Sequence, residues 1–263
     1  TIKQILSFDP KFDVEEAYNY FSLRAKSYGV TASYQPIFSS LDKIIFEGKN
    51  PTDYRDSNNN ELHVNRRLNV WGSGGAHKTY FNQIDEIIID IFNKPIEEQP
   101  QGIADMGCGD GMFLKHLHQL ILDKTLRGKQ IEKYPLILVA ADLNQKAIEE
   151  SRKNLDKVNI NCNFLIADIS NPDRYKQDLK NLFNIKINNL LHVRSFLDHN
   201  RVYKDIRKTN QTEKFKSTGA YSYKGRYLNS ENIASNLIGH FKLWKTHISK
   251  HGLLLLELHG LDL

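Results

Sequence analysis

Three features of the 263-residue sequence predict an open α/β sheet, doubly wound and mostly parallel. From Gly102 onward, short strands that are apolar throughout alternate with helical segments of ten or more residues. Alternate glycines stand where the first of these strands meets its helix, and acidic residues close the next two strands. Strands that are apolar on both faces are buried on both faces, which in a parallel sheet means a layer of helices above and below.

The elements follow in order. Residues 1–100 read as a helical and irregular N-terminal region, a lid over the core. Within it Val14–Phe21 follows an Asp13 cap and spaces its apolar residues as a helix does. Pro51–Asn60 is polar and turn-rich, and a second helix is expected from about Ala76 to Asn93, before Pro95 and Pro100 close the region. Residues 101–263 form the core. Ile103–Met106 is the first strand, followed by a helix bearing Phe113, Leu114, Leu117 and Leu120. Next come the strand Leu136–Ala141, a helix from Gln145 to Leu155, the strand Cys162–Ala167 and a helix from about Asp173 to Phe183. Ile187–Val193 is the fourth strand, and a helical and loop insert, most irregular over about 201–230, leads to a fifth at Leu253–Leu258.

Composition excludes several classes. Forty per cent hydrophobic and 25% charged residues rule out a disordered chain. Two cysteines, Cys108 and Cys162, cannot make a disulfide scaffold, so a reducing cytoplasmic compartment is expected. The longest apolar runs, Ile87–Ile89 and Leu253–Leu256, fall far short of the roughly 20 residues of a membrane span, so no membrane partner is expected. The start at Thr1 suggests a piece of a longer polypeptide. A net charge of +5 says little until its clustering is considered.

The chemistry is concentrated at Asp105-Met-Gly107-Cys-Gly109-Asp-Gly111. Alternate glycines let the backbone turn sharply and approach a ligand closely. The spacing is not that of a dinucleotide fingerprint, and the leading carboxylate suits a cationic ligand better than a pyrophosphate. S-adenosylmethionine, with its sulfonium and ammonium, fits that charge logic. Asp142, with Leu143 beside it, ends the second strand, where a carboxylate takes both ribose hydroxyls. Asp168 and Ile169 end the third, where Asp accepts from an adenine amino group and Ile packs on the ring. Taken singly, Asp142 or Asp168 reads equally well as a helix cap or turn residue. Asp105 to Asp142 spans 37 residues against a usual interval of about 20, the surplus lying around Asp123–Tyr134 in the first crossover.

The ordered glycine motif and strand-end carboxylates resemble class I S-adenosylmethionine-dependent methyltransferases over residues 102–258. After the fourth strand there is no Asn/Asp-Pro-Pro-Tyr for gripping a planar amine, but His192-Val-Arg194-Ser-Phe-Leu-Asp198-His199. That segment, with Asn69–His77, Asn236–Trp244 and His251–His259, is similar to the C-methyltransferase domains of modular polyketide synthases, including apratoxin and saxitoxin starter modules and trans-acyltransferase systems. The resemblance implies methylation of the carbon alpha to a carbonyl, on an acyl thioester borne by a phosphopantetheinylated acyl carrier protein, beside other synthase domains. The fold normally ends in a further antiparallel hairpin, and the chain stops just after the fifth strand, so C-terminal strands are apparently missing.

Two readings of the catalytic residues stay open. The starter-module resemblance implies a mononuclear Fe or Mn ion, for which Asp198, His199 and Glu257 are of the right ligand type. Alternatively, His199 or His259 is a metal-free base, and Asp198 pairs with Arg201. Trp71, His77, Tyr80 and Arg194 are candidates for lid and substrate contacts, against a plain Gly-rich turn at Trp71–His77. His192 reads as a hydrogen-bonded core histidine, and Cys108 as a small packed residue.

Between Arg201 and Leu228 eight Lys or Arg face two acids, with Tyr203, Tyr221, Tyr223 and Tyr227 interleaved. Such a patch suits an acidic carrier protein and its phosphate, or simply solvent. It also resembles an RNA surface, so a small-molecule or RNA methyltransferase remains the competing activity. A noncatalytic methyltransferase-like domain is the third reading, and the intact glycine motif argues against it.

Overall fold

The computed structural model describes residues 13–49, 52, 54–57, 61–204, 217, 219–224 and 226–257. Five parallel strands make the central sheet: β1 (Gly102–Met106), β2 (Ile137–Asp142), β3 (Asn163–Ile166), β4 (Leu190–Ser195) and, after a two-stranded hairpin of β5 (Tyr221–Tyr223) and β6 (Arg226–Leu228), β7 (Leu253–Leu256). The strand order is β3-β2-β1-β4-β7. The order reverses at β1, so the crevice above β1 and β4 is the switch point at which such sheets bind ligands.

The N-terminal region holds α1 (Val14–Ser33), α2 (Gln35–Phe38), α3 (Leu41–Glu47), α4 (Arg66–His77) and α5 (Asp85–Phe92). The core adds α6 (Met112–Lys124), α7 (Leu126–Lys129), α8 (Gln145–Asp156), α9 (Pro172–Phe183) and α10 (Ser230–Trp244). The Asp13 side chain caps α1 as expected, accepting from the N–H groups of Glu15 and Glu16. No helix among the described residues is long and apolar enough to cross a membrane.

Side chains alternate across β1. Ile103 packs with Leu138, Leu191 and Val193 against Ile88, Phe92, Leu114, Leu117 and Leu155, from α5, α6 and α8. Ala104 and Met106 face the other way, toward Tyr175 and Leu179 of α9 and Trp244 of α10. Each fully buried large side chain contributes roughly 1.5–3 kcal/mol. The predicted double winding is therefore observed.

Two local expectations change. The glycine-rich Trp71–His77 segment is not a turn but the second half of α4, which starts at an Asn65 cap whose side chain accepts from Leu68 N–H. Gly72 serves packing: a Cβ there would lie 2.6 Å from Val30 N and 2.8 Å from Gly29 Cα, so only glycine lets α4 cross α1 this closely. The helix expected from Ala76 to Asn93 is broken by a 3₁₀ stretch, Lys78–Ile84, between α4 and α5.

The long first crossover is held by one residue. Buried Arg127 donates to the carbonyls of Tyr134, Pro135, Pro100 and Gln101 and to the Gln99 side chain, joining α7 to the entries of β1 and β2. Arg127→Met takes the donor from those acceptors, of which the Gln99 side chain and the Pro100 carbonyl belong to buried residues. The variant should lose about 1–3 kcal/mol in urea unfolding or more, since several groups are stranded. An unchanged midpoint would show that the crossover does not depend on this guanidinium.

Candidate active site

The glycine turn is strapped to the neighbouring strand. Gly107 N–H and Cys108 N–H both donate to the Ala141 carbonyl, at 2.7 and 3.0 Å. Gly107, Gly109 and Gly111 have φ of +78°, +55° and +79°. At Gly107 close approach adds to the conformational demand, because a Cβ would lie 2.7 Å from Leu197 Cδ2 in the loop after β4. At Gly109 a Cβ would meet nothing within 4 Å, so the turn opens onto free space there.

Asp142, at the end of β2, faces that turn. Its Oδ2 accepts from Gly109 N–H at 3.2 Å and its Oδ1 from Asn144 N–H at 2.9 Å. Burial raises its pKa, and those N–H groups, together with the charge of Arg66 at the start of α4, oppose the rise. Leu143 beside it is 68% exposed at the crevice mouth. Asp168 curls back on its own loop, accepting from Ser170 N–H and Oγ, each at 2.7 Å. Ile169 is half-buried in the layer with Trp244, whose indole N–H donates to the Ile169 carbonyl.

Asp105 sits differently from the sequence expectation of a carboxylate at the ligand. It is wholly buried, with neither oxygen hydrogen-bonded to any described residue. Burial, then the charges of Asp142 and Asp110, push its pKa well above the ordinary value. It lies under the turn, buried rather than open to the crevice.

At the carboxyl ends of β4 and β7 a second set of groups converges. The His199 Nδ1 lies 2.8 Å from Glu257 Oε2, and Glu257 Oε1 accepts from the main-chain N–H of Asp198 at 2.7 Å. His77, from the end of α4, stacks on Phe196 with centroids 3.9 Å apart, and Tyr80 meets the same ring edge-on. Burial, then the neighbouring His199, depress the His77 pKa to about 4, so it is neutral near pH 7. Phe196 itself has φ +53°, a strained backbone of the kind found at functional loops.

Three sequence expectations are corrected at this end. Arg194 does not line a substrate pocket: it is 0% exposed, lies over the Trp244 ring at 4.4 Å, and donates to both Asp198 oxygens at 3.0 and 3.3 Å. Asp198 is thereby committed to Arg194 rather than to an ion, and the expected pairing with Arg201 is present, with Arg201 Nε 3.7 Å from Asp198 Oδ1 and donating to the Asp198 carbonyl at 3.1 Å. Trp71 does not cover the crevice, since its ring lies against Gly29 of α1. Asp198, His199 and Glu257 do not fit as a metal triad, because Asp198 is bound to a guanidinium while His199 and Glu257 bond each other. No group of three or more His, Cys, Asp or Glu among the described residues is arranged to hold a metal ion. His259, the other proposed base, lies outside the described residues.

Two readings hold. His192 is fully buried with Nε2 3.0 Å from the Ile187 carbonyl, and Cys108 is buried with its pKa raised by burial, an inert packed thiol. The sequence reading missed Arg66, Phe196 and His240. The fixed interval from Arg194 to Asp198 was a local signal for their pairing; nothing in the sequence brings His240 to them from 46 residues away.

A parallel sheet ordered β3-β2-β1-β4-β7, with a glycine turn after β1 and a carboxylate after β2, is the arrangement of class I S-adenosylmethionine-dependent methyltransferases. The family model described as the AprA MT2-like domain matches residues 61–263, and the chain belongs to that methyltransferase family. Among solved structures it is similar to the CurJ carbon methyltransferase, at 9% identity and a TM-score of 0.43, covering 70% of this chain and 43% of that one. The plantazolicin methyltransferase BpumL in complex with SAH matches at 14% identity and TM-score 0.38, over 93% and 62%. The citrinin polyketide synthase CMeT domain matches at 16% and 0.39, over 70% and 43%. The chain thus spans about half the length of these matched chains. No curated protein matches the sequence.

The buried Asp105 gives a pH signature. Its folded-state pKa is raised, so the folded chain keeps a proton that the unfolded chain releases, and stability falls as pH rises above about 4. Asp105→Asn removes this dependence. Melting curves from about pH 5 to about pH 8 should show the parent losing ground to the variant as pH increases. A constant difference would mean that Asp105 is ionised and partnered in the folded state.

Proposed function

We propose that this domain transfers a methyl group from S-adenosylmethionine to the α carbon of an acyl thioester carried by an acyl carrier protein, with His199 as general base. The observation that carries this reading is the His199–Glu257 pair, held at the carboxyl ends of β4 and β7. Amine nucleophiles attack with a lone pair they already have. A carbon alpha to a carbonyl has none until a proton is removed, and a positioned base is what that reaction needs.

The residues above β1 and β2 fit the cofactor. Asp142 would take the ribose hydroxyls with the lone pairs left after its bonds to Gly109 and Asn144. The open side of Gly109 admits the ligand against the main chain. Leu143 and Ile169 offer apolar surface for the adenine, and Asp168 an acceptor. Bound S-adenosylmethionine supplies an electrophilic methyl on a positively charged sulfur. Neutral His77 and Phe196 wall that region without adding a like charge.

Glu257 accepts the Nδ1 proton of His199, which leaves Nε2 as the nitrogen with a lone pair for the substrate proton. The carbanion so formed would be the nucleophile for that methyl group, the C–S electron pair staying with the sulfur. Glu257 also steadies the imidazolium once the proton has arrived. No step is assigned to Fe or Mn.

The N-terminal region up to about residue 100 serves as a lid, α4 lying between α1 and α8 and presenting His77 to Phe196. An acidic carrier and its phosphate would meet Lys204, Lys224 and Arg226 outside the mouth; Arg207, Lys208, Lys214 and Lys216 lie outside the described residues.

Incubation with acyl-loaded carrier protein and S-adenosylmethionine, followed by intact-protein mass spectrometry, tests the proposal. The carrier should gain one methylene mass, and tRNA offered in its place should not be methylated. His199→Gln should slow transfer by about 10²–10⁴-fold, the usual contribution of a general base, while calorimetry shows cofactor binding intact. Methylated RNA with an unmodified carrier would replace this reading with the nucleic-acid one. Asp142→Ala should weaken cofactor binding by about tenfold or more, as loss of a charge-assisted hydrogen bond does. Unchanged affinity would move the ribose site elsewhere.

A further inference from the structure

Behind the His199–Glu257 pair lies a chain of contacts that the proposed chemistry does not itself require. Glu257 has two oxygens: one holds His199, and the other is held by the main-chain N–H of Asp198. A main-chain N–H is only as well placed as its own residue. Asp198 is fixed by its side chain, which receives Arg194 Nη1 at 3.0 and 3.3 Å. His240 of α10 closes the set, its Nε2 lying 2.9 Å from Arg194 Nη1 and 3.3 Å from Asp198 Oδ1. Arg194 is in turn fixed by the rigid sheet, as a residue of β4 paired to Leu255, and by the face of Trp244.

We infer that Arg194 is a positioning residue of this active site: with His240 it immobilises Asp198, whose main-chain N–H sets Glu257, which sets His199. The inference rests on reading His199 and Glu257 as the base pair.

The geometry favours this over a pair that merely fastens α10 to the sheet. Asp198, His199 and Asn200 form a single 3₁₀ turn with no side-chain cap, immediately after strained Phe196. A short segment of that kind has few internal restraints. His199 is exposed and its neighbour Asp198 buried, so the fixed point of the turn is the ion pair beneath it. Around His199 the charged and titratable neighbours are Glu257 beyond β7, His77 of α4, and Asp198 with Arg201 on its own segment. Asp198 links that surface to the buried ion pair, and Arg201 links it to Asn236 of α10.

Arg194→Lys, Asp198→Asn and His240→Asn, with Glu257→Gln as reference, test the chain. Each is assayed for melting temperature, cofactor binding by calorimetry, kcat and KM on the acyl-carrier substrate, and the ¹⁵N shift of His199 Nδ1. The expected result is a loss of about ten- to hundredfold in kcat, as small misplacements of catalytic groups give, with KM and cofactor affinity unchanged. The His199 Nδ1 signal should move in the same sense as in Glu257→Gln. If Arg194→Lys does not fold, His240→Asn, at the outer edge of the set, carries the same expectation.

A lowered melting temperature with parental kcat and an unmoved His199 signal would reduce Arg194 to a structural ion pair. That outcome leaves the base reading standing if Glu257→Gln is still impaired. Parental kcat in Glu257→Gln would instead remove the base reading, and the positioning role with it.

Discussion

The glycine turn after β1 depends on what surrounds it more than on its own residues. Two of its N–H groups are taken by one carbonyl of β2, a third by the Asp142 side chain, and Leu197 from the loop after β4 presses where Gly107 has no side chain. Three strands therefore meet at one backbone turn. Because all five strands run parallel, their carboxyl ends rise to the same level, and everything placed just after a strand arrives at the same crevice. Asp142, Phe196, His199 and Glu257 lie at the same end of the sheet for that reason, although they span more than a hundred residues of sequence.

Most of this frame was legible in the sequence because it rests on period and spacing. Every core strand and crossover helix from Gly102 to Phe183 falls within a few residues of its expected place, and Asp13 caps the helix it precedes. What was not legible rests on long-range packing. The glycines of Trp71–His77 read locally as a turn, but the crossing against Gly29 turns the same residues into a helix. Asp105 reads as a ligand carboxylate, but its place in β1 puts it in the same layer as Ile103, beneath the turn. Period-two alternation along β1 contains that outcome. It is easily missed when the residue is read as part of a motif instead of part of a strand.

Asp198 shows how one buried cation redirects a local reading. Its neighbours His199 and Arg201 suggest an ion site or a surface pair. Arg194, four residues earlier on a strand, was assigned to the substrate. Strand geometry instead turns Arg194 into the layer of Tyr175 and Trp244, where a guanidinium needs a carboxylate close by. Burial alone would raise the Asp198 pKa; the His240 hydrogen bond and the Arg194 charge bring it below the ordinary value. An anion so stabilised has little left to offer a metal.

The buried arginine is also costly in a way that bears on its purpose. Its Nε and Nη2 have no hydrogen-bond partner among the described residues, so part of its hydration is lost without replacement. An ion pair of this kind is often no more stabilising than an apolar side chain of similar volume, and β4 is otherwise built of Leu, Val, a core His and a terminal Ser. Stability alone therefore gives no reason for an arginine there. A directional requirement does: an apolar residue could fill the layer beside Trp244, but it could not hold a carboxylate at a fixed distance from the strand. The 3₁₀ turn above would then keep its bonds to Glu257 but lose the ion pair beneath it. In this fold the position of His199 follows from the depth at which Asp198 is anchored, and that depth is set by a charge that apolar packing cannot imitate.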